Sequence, residues 1–229
     1  MMTTPCTEIA IFPLASGTDA MNPTSVGGEA LVRSTKTTAA QDGFQRMMYS
    51  VYQEDPSIMV HIVDWVDASA HVKFETAPYF AEFMKAYDDI LFGGPCAVFY
   101  VDFALAAGTT NESKLDGPIT ELVLCYSSVT DATRERQTHF NEGVRTAFEG
   151  LSEPDPTPKN LAYGWCTQDS VETFREGKGE EKVWVAVVVW GSEEEFARAR
   201  EQDTIRKSLP SINGLDLDVK LWRLVSKRV

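Results

Sequence analysis

Apolar residues recur in the same order in the two halves of the chain. Two short runs of β-forming residues, at 7–14 and 120–128, each begin with Thr-Glu. Two longer apolar runs, Ile58–Trp65 and Lys182–Trp190, each end in tryptophan and are followed by polar residues. Self-similarity at a long, nearly fixed period is typical of a duplicated structural unit. The pattern therefore predicts one unit that occurs twice.

The segments between these runs add the same elements to each half. Phe140, Val144 and Phe148 recur at helical spacing and predict a helix over 131–149, with a matching helix over 24–40. A second strand should follow each of these helices. The third strand of each half is then the run that ends in tryptophan.

Each tryptophan is followed by a helix start signal. Asp67 and Ser192 come two residues after Trp65 and Trp190, and Asp and Ser favour the N-cap position. Two short helices and a closing strand are therefore predicted in each half. The order of elements is β-α-β-β-α-β, with the second helix broken in two.

This order is that of the ferredoxin-like fold. One such unit covers only one face of its antiparallel sheet with helices, and the other face also needs cover. A second copy can supply that cover, sheet against sheet. The predicted fold class is therefore α+β, with two tandem ferredoxin-like repeats over 1–106 and 119–229. A linker over 107–118 joins them, and together they form an intramolecular dimeric α/β barrel with antiparallel sheets.

The composition limits which binding partners and which cellular compartment we expect for the protein. The 229 residues carry a formal net charge of −13, and a strongly acidic surface repels phosphate backbones and anionic lipid heads. We therefore expect neither nucleic acid nor a membrane as a partner. The four cysteines are widely spaced, no secretory signal is recognised, and no apolar run approaches the roughly 20 residues of a membrane helix. These features predict a cytoplasmic protein with reduced thiols.

Sharp motifs for other chemistries are absent from the sequence. There is no GxGxxG, P-loop, HExxH, GxSxG or CxxC pattern, and only three histidines are present. This argues against nucleotide cofactors, zinc proteases and motif-bearing serine hydrolases. We therefore expect no cofactor and no metal ion.

The third strand of the first half carries the first candidate residues. His61 faces the same side of the strand as Met59 and Trp65, because side chains alternate along a strand. His61 is either a cavity-facing general base or a hydrogen-bonded interior histidine. Its ordinary pKa of about 6.5 suits removal of a proton from a phenol or an activated carbon acid. Trp65 is either a stacking surface for a planar substrate or a core residue.

The segment His61–Tyr87 resembles the antibiotic biosynthesis monooxygenase family. The shared pattern is a strand that ends in tryptophan, a helix with an Ala-His pair, and then an aromatic residue, a proline and two further aromatic residues. The matching residues are Trp65, Ala70, His71, Phe74, Pro78, Phe80 and Phe83. The start of the chain and the second half look like the tandem versions found in fungal proteins.

This resemblance implies a small-molecule cavity between sheet and helices in each half. Some relatives oxidise electron-rich aromatic polyketides without metal or flavin, and the substrate carbanion itself reduces oxygen. Other relatives degrade haem, catalyse cyclisation, or have no assigned chemistry. In the second half the Ala-His pair is replaced by Glu195-Phe196, so catalysis is expected in the first half.

The predicted function is a cofactor-independent oxygenase that acts on a small aromatic or polyketide-type metabolite in secondary metabolism. Molecular oxygen would be the second substrate, and a homodimer of two pseudo-dimers is a further possible assembly. The alternatives are a non-oxidative cyclase, isomerase or lyase with the same cavity, and a non-catalytic binding or structural protein. The predicted catalytic residues are His61 and His71. The predicted substrate-binding residues are Trp65, Met59, Phe74, Phe83 and Tyr87.

Overall fold

The chain folds into two compact units. The computed structural model describes residues 5–88, 93–94, 96–110, 112, 114–151, 156–169, 171–172, 180–209 and 217–228, with the backbone alone at 86–88, 172, 180 and 226–228. The first unit is formed mainly by Met1–Asp102, and the second mainly by Phe103–Glu172 and Lys178–Leu224.

The first unit is an antiparallel sheet with three helices. Its elements in chain order are β1 (Cys6–Pro13), α1 (Val26–Ala39), β2 (Phe44–Tyr52), β3 (Ile58–Trp65), α2 (Ala68–Glu75), α3 (Phe80–Asp88) and β4 (Ala97–Val101). The strands lie in the order β4-β1-β3-β2. β1 pairs antiparallel with both β3 and β4, and β2 pairs antiparallel with β3.

The second unit repeats this plan with two short additions. Its elements are β5 (Ala104–Leu105), β6 (Ile119–Ser128), α4 (Arg134–Glu149), β7 (Asn160–Trp165), β8 (Val171–Glu172), β9 (Glu180–Trp190), α5 (Glu193–Glu201), α6 (Thr204–Ser208) and β10 (Asp218–Arg228). The strands lie in the order β10-β6-β9-β7-β5, and β8 pairs with β9. Within the described residues, no helix is long and apolar enough to cross a membrane.

Both units therefore have the ferredoxin-like strand order, in which the fourth strand lies beside the first and the third lies between the first and the second. The predicted α+β class with two tandem ferredoxin-like repeats is confirmed. β5 and β8 were not predicted, because a two-residue strand is too short to show a period. β5 pairs with β7, and Ala106 donates a backbone hydrogen bond to Leu161, so the chain enters the second unit at Ala104.

The register of the first sheet decides which side chains share the face toward the helices. Ala10 lies opposite His61 on β3 and opposite Val98 on β4, while Glu8 lies opposite Val63 and Tyr100. Side chains two residues apart on a strand share a face. Glu8 and Ala10, His61 and Val63, and Val98 and Tyr100 therefore stand on one side of the sheet.

The turn from β3 into α2 is fixed by Gly43. Its φ of +85° is in the left-handed region, and a Cβ there would lie 2.6 Å from the Cβ of Ala70. The backbone N–H of Val66 donates to the carbonyl of Gly43 at 2.8 Å. The start of β2 is thereby held against the start of α2, close to Trp65.

Both predicted N-caps are confirmed. The Asp67 side chain accepts from the backbone N–H of Ala70 at 3.0 Å, and Ser192 accepts from Glu195 at 3.1 Å. Each cap satisfies a backbone donor that the first helical turn leaves unpaired. In the first unit this cap begins the helix that carries His71.

We expect Asp67→Ala to lower the free energy of unfolding by about 1 kcal/mol, the usual cost of losing a side-chain cap. Asp67→Asn should cost much less, because the amide oxygen can still accept from Ala70. Chemical denaturation of both variants measures the difference. Equal losses in the two variants would mean that the cap hydrogen bond does not stabilise α2.

Candidate functional site

A cavity of about 220 Å³ lies in the first unit, between the helix-facing side of the sheet and all three helices. The sheet contributes residues from β1, β2 and β3 and from β4 with the residue before it. These residues are Glu8, Ala10, Phe12, Met47, His61, Val63, Trp65, Cys96 and Val98. The helices contribute Ser34, Thr38, His71, Phe74, Glu75, Phe80, Phe83 and Met84.

The helix side of the cavity follows from helical spacing. Ser34 and Thr38 are four residues apart on α1, so they lie on one face of the helix. Phe80, Phe83 and Met84 occupy positions i, i+3 and i+4 of α3, which form a single apolar stripe. That stripe turns toward the sheet and forms an apolar wall of the cavity.

Aromatic rings pack edge to face around Phe74. Its ring centroid lies 5.1 Å from that of Phe80 and 5.2 Å from that of Phe83, with interplanar angles of 86° and 65°. The Trp65 ring lies 6.4 Å from Phe74 on the other side. Such geometry is favoured by the quadrupoles of aromatic rings. The wall is therefore suited to a flat, apolar ligand.

A buried carboxylate stands opposite this wall. Glu8 is 8% exposed, and its Oε2 accepts a hydrogen bond from the indole N–H of Trp65 at 2.8 Å. The same oxygen lies 3.2 Å from Nε2 of His71. Trp65 is 0% exposed and His71 is 5% exposed. The indole N–H of Trp65 thus donates to a buried carboxylate oxygen that also lies beside the His71 ring.

His71 connects this carboxylate to two further polar groups. Its Nδ1 is hydrogen-bonded to the hydroxyl of Tyr100 and lies 3.9 Å from Oε2 of Glu75. In the neutral tautomer with its hydrogen on Nε2, Nδ1 accepts from the Tyr100 hydroxyl; in the other tautomer Nδ1–H donates to it. The Glu75 side chain is 40% exposed and so marks the side of the cavity nearest solvent.

Burial shifts the protonation of both partners. It raises the pKa of Glu8 to about 7, against the hydrogen bond from Trp65, which lowers it, and the charge of Glu75 adds to the rise. Burial lowers the pKa of His71 to about 4. At neutral pH His71 is therefore uncharged, and Glu8 exchanges a proton within the physiological range.

His61 is the second histidine of the cavity and has a different environment. Its ring lies 5.0 Å from that of Phe12 at an interplanar angle of 88°. Within the described residues, its buried Nε2 has no hydrogen-bond partner. Burial lowers the pKa of His61 to about 4, so the imidazole is neutral at pH 7. A buried polar atom without a partner is unusual in proteins, and here it lies beside an open space.

The structure brings together most of the residues that the sequence singled out. His61, His71, Trp65, Phe74 and Phe83 all line the cavity. Met59 does not line it. Met59 is 0% exposed and belongs to the apolar core of the first unit. Tyr87 lies in α3, but its side chain is outside the described part of the chain.

Sequence reasoning missed Glu8 and Tyr100. Glu8 was used only to align the two Thr-Glu repeats, although a carboxylate inside an apolar strand is itself a signal. Acidic side chains are almost never fully buried unless they are paired. Tyr100 carries no local signal, because its contact with His71 joins residues 29 positions apart.

The second unit keeps half of this arrangement. Glu121 corresponds to Glu8, and its Oε2 accepts from the indole N–H of Trp190 at 3.3 Å. Arg200, ten residues after Trp190 as Glu75 is after Trp65, lies 2.9 Å from Oε1 of Glu121. The buried carboxylate of the second unit is therefore held in an ion pair with a cation.

The other polar positions of the second unit carry different groups. Counted from the tryptophan, Phe196 replaces His71 and Ala186 replaces His61. The strand register places Arg223 opposite Glu121, where the first unit has Tyr100 opposite Glu8. Phe140, Trp165 and Trp184 fill the core on this side of the second sheet. The acid-base groups of the first cavity are thus not repeated.

The described part of the chain contains no cluster of side chains suited to metal binding or to thiol chemistry. No group of three or more His, Cys, Asp or Glu side chains lies close enough there to hold a metal ion. All four cysteines are free thiols. Cys96 lines the cavity, and burial raises its pKa to about 12, which keeps the thiol protonated at neutral pH.

Solved structures share this fold over the whole chain. A candidate monooxygenase from Fusobacterium nucleatum superposes with a TM-score of 0.60 at 14% identity, over 100% of this chain and 95% of that one. An anthrone oxidase-like protein has a TM-score of 0.58 at 10% identity, over 98% and 93%. A candidate monooxygenase from Lactobacillus acidophilus has a TM-score of 0.51 at 11% identity, over 97% and 94%. At these identities the likeness shows the fold.

The structure is that of a tandem ferredoxin-like protein with a cavity in its first unit. Residues 28–86, which carry α1 to α3 and most of the cavity wall, match the model of the antibiotic biosynthesis monooxygenase family. The resemblance of this segment to that family, seen in the sequence, is confirmed. Among curated proteins, none is significantly similar to the chain in sequence.

We expect His61→Gln to reduce the loss of stability in acid. Because the pKa of His61 is about 4 in the folded protein and about 6.5 in the unfolded chain, protons bind preferentially to the unfolded chain between these values. His61 should therefore contribute a fall in the free energy of unfolding as the pH drops through this window, opposed by the raised pKa of Glu8. The variant should lose less over the same window, as measured by urea denaturation.

The control for this measurement is His139→Gln, because His139 is exposed on α4. This variant should keep the pH dependence of the wild type. If His61→Gln also kept it, burial of a neutral His61 would not be a source of the acid sensitivity.

Proposed function

We propose that the protein is a cofactor-independent oxygenase that removes a proton from a small aromatic substrate inside the first-unit cavity. The observation that carries this proposal is the enclosure of a proton-accepting carboxylate and a free histidine nitrogen opposite an aromatic wall. The match of residues 28–86 to the antibiotic biosynthesis monooxygenase family supports the same interpretation. A role in secondary metabolism is part of the proposal.

The size of the cavity limits the substrate. An apolar cavity of about 150 Å³ holds benzene, while drug-sized ligands occupy pockets of about 300–1,000 Å³. A cavity of about 220 Å³ is suited to one or two rings in its present conformation. A third ring requires displacement of α3, whose Phe80 and Phe83 are only partly buried.

The charges of the cavity limit the substrate further. Glu8 and Glu75 are its acidic residues, and none of the described residues that line it is Lys or Arg. A carboxylate or phosphate on the substrate would enter without a cation to pair with, at a large cost of desolvation. The substrate is therefore a neutral phenol, or a ketone with an acidic C–H group.

The reaction that fits these groups needs only substrate and oxygen. Loss of a C–H proton to the protein leaves a carbanion whose electron pair is delocalised over the rings. This carbanion reduces O₂ and forms a C–O bond to a peroxide, which takes up a proton. Loss of the second C–H proton with cleavage of the O–O bond gives a ketone and water. For anthrone, the products are anthraquinone and one water molecule.

The predicted residues have distinct parts in this proposal. The free Nε2 of His61 accepts a hydrogen bond from a substrate hydroxyl and orients the ring. Trp65 and Phe74 contact the faces or edges of the ring and exclude water. His71 holds the buried carboxylate through its Nε2–H.

Anthrone is a suitable first probe, since one structural neighbour is described as anthrone oxidase-like. We expect turnover to anthraquinone in air, incorporation of one atom from ¹⁸O₂ into the product, and no anthraquinone under nitrogen. Product analysis by mass spectrometry measures all three. A product of unchanged oxygen content, formed equally under nitrogen, would exclude oxygenation and favour the cyclase, isomerase or lyase alternative.

Filling the cavity should abolish turnover without unfolding the protein. Val98 lines the cavity on β4, and Val98→Phe should therefore exclude the substrate and lower kcat/KM by a factor of about 100 or more. Leu221 occupies the corresponding register position in the second unit, opposite Val123, and Leu221→Phe is the matched control. Equal losses in both variants would contradict the placement of the substrate in the first unit.

A further inference from the structure

We propose that Glu8 is the catalytic residue that accepts the substrate proton, and that Trp65, His71 and Tyr100 are positioning residues that hold its carboxylate. This inference rests on the proposed function and assigns its first step to one atom. The C–H or O–H bond of the substrate breaks, its proton moves to Glu8, and the electron pair stays on the substrate.

The hydrogen bonds of Glu8 leave one oxygen for the substrate. Oε2 accepts from Trp65 and lies 3.2 Å from Nε2 of His71. Within the described residues, no partner is found for Oε1. Glu8 lines the cavity, so the oxygen that the network does not use is available to a ligand. The Trp65 hydrogen bond and the adjacent His71 ring restrict the orientation of the carboxylate, as precise proton transfer requires.

The register of the sheet places His61 next to this group. Glu8 lies opposite Val63 and Ala10 lies opposite His61, so Glu8 and His61 are diagonal neighbours on one face. Diagonal pairs have Cα atoms about 7–8 Å apart, close enough for two long side chains to contact the same small ligand. A substrate hydroxyl on His61 therefore brings the neighbouring acidic hydrogen toward Glu8.

The network also gives the proton a way out of the cavity. Glu8 contacts His71, and Nδ1 of His71 reaches both the Tyr100 hydroxyl and the partly exposed Glu75. The relay needs the tautomer with its hydrogen on Nδ1: Nε2 then takes the proton of Glu8 while Nδ1–H gives its own to Glu75, so the ring stays neutral. Glu8 can thus be returned to its starting state while substrate occupies the cavity.

Acid strength favours Glu8 over the two histidines as the acceptor. A general base works best when its pKa is near the working pH. Burial raises the pKa of Glu8 to about 7, whereas burial lowers the pKa of His61 and His71 to about 4. The titratable groups that face Glu8 from β1, β3, α2 and β4 are Cys6, His61, His71, Glu75, Cys96 and Tyr100.

Glu121, the residue of the second unit that corresponds to Glu8, has different polar neighbours. Glu121 keeps its tryptophan partner, but Arg200 lies against its other oxygen. The oxygen that is available to a ligand in the first unit is therefore occupied by a cation in the second. Glu121 is a matched control: it is a buried glutamate with the same indole donor and without the proposed role.

Binding of 4-nitrophenol tests the assignment without relying on turnover. At alkaline pH the probe enters as phenolate, and a protonated Glu8 must stand beside it, because two adjacent buried anions repel. We expect uptake of about one proton for each phenolate bound, and an affinity that falls about tenfold per pH unit above pH 7. Calorimetry in buffers of different ionisation enthalpy counts the protons, and the absorbance of the phenolate confirms its charge.

Glu8→Gln should remove the proton uptake and leave the affinity for the phenolate independent of pH. Glu121→Gln should behave as the wild type. Tyr100→Phe should keep the uptake but move its midpoint to higher pH, because loss of the Tyr100 hydroxyl weakens donation from His71 to the ionised carboxylate. Glu8→Gln should also lower the anthrone rate about 10²–10⁴-fold.

Two results would overturn the assignment, and a third would overturn the proposed function alone. Proton uptake that persists in Glu8→Gln shows that another group is the acceptor, and its loss in His61→Gln instead identifies His61. Failure of the wild type to bind 4-nitrophenol contradicts both the assignment and the proposed function. Proton uptake at Glu8 without oxygen-dependent turnover of anthrone contradicts the proposed function alone and leaves Glu8 as the acceptor.

Discussion

The first-unit site depends on the burial of one carboxylate between an indole N–H and an imidazole. An ionised carboxylate is costly to bury, so the pKa of Glu8 is raised to about 7, while the Trp65 indole N–H donates to Oε2 and the His71 ring lies beside the same oxygen. These partners come from the end of β3 and from α2. Their positions depend on the Gly43 turn and the Asp67 cap, which join the two elements. Secondary structure that looks remote from the chemistry thus decides the protonation of the cavity.

Much of the fold was predictable because short stretches of sequence indicate its strands, helices and caps. The tryptophan-ended strands, the helical spacing of Phe140 and Val144, and the caps at Asp67 and Ser192 are all short-range signals, and all were found correctly. The cavity face of β3 followed from the alternation of side chains, which placed His61 beside Trp65. β5 and β8 had no such signal, because pairing with a distant strand, not a local period, makes them strands.

The site itself was only half predictable. His61, His71 and the aromatic wall lie in one continuous segment, so a local pattern could indicate them. Glu8 and Tyr100 reach the same point from β1 and β4, and only the antiparallel register brings them together. Met59 illustrates the converse error. It has the correct parity on β3, but it lies opposite Phe12, one step beyond the row of His61, and is enclosed in the core. An odd or even position on a strand shows which face of the sheet a side chain is on, but not whether it lies far enough along the strand to reach the cavity.

The pairing of Arg200 with Glu121 has a consequence for how the chain can change. In an assembly of two identical subunits, any substitution is made in both sites at once, so a residue cannot serve structure in one and chemistry in the other. Covalent duplication removes that constraint. The arginine, the phenylalanine and the alanine of the second unit leave the first-unit cavity unchanged because they stand only in the second unit. Each copy can therefore change separately, and a substitution in the first-unit cavity occurs once per polypeptide.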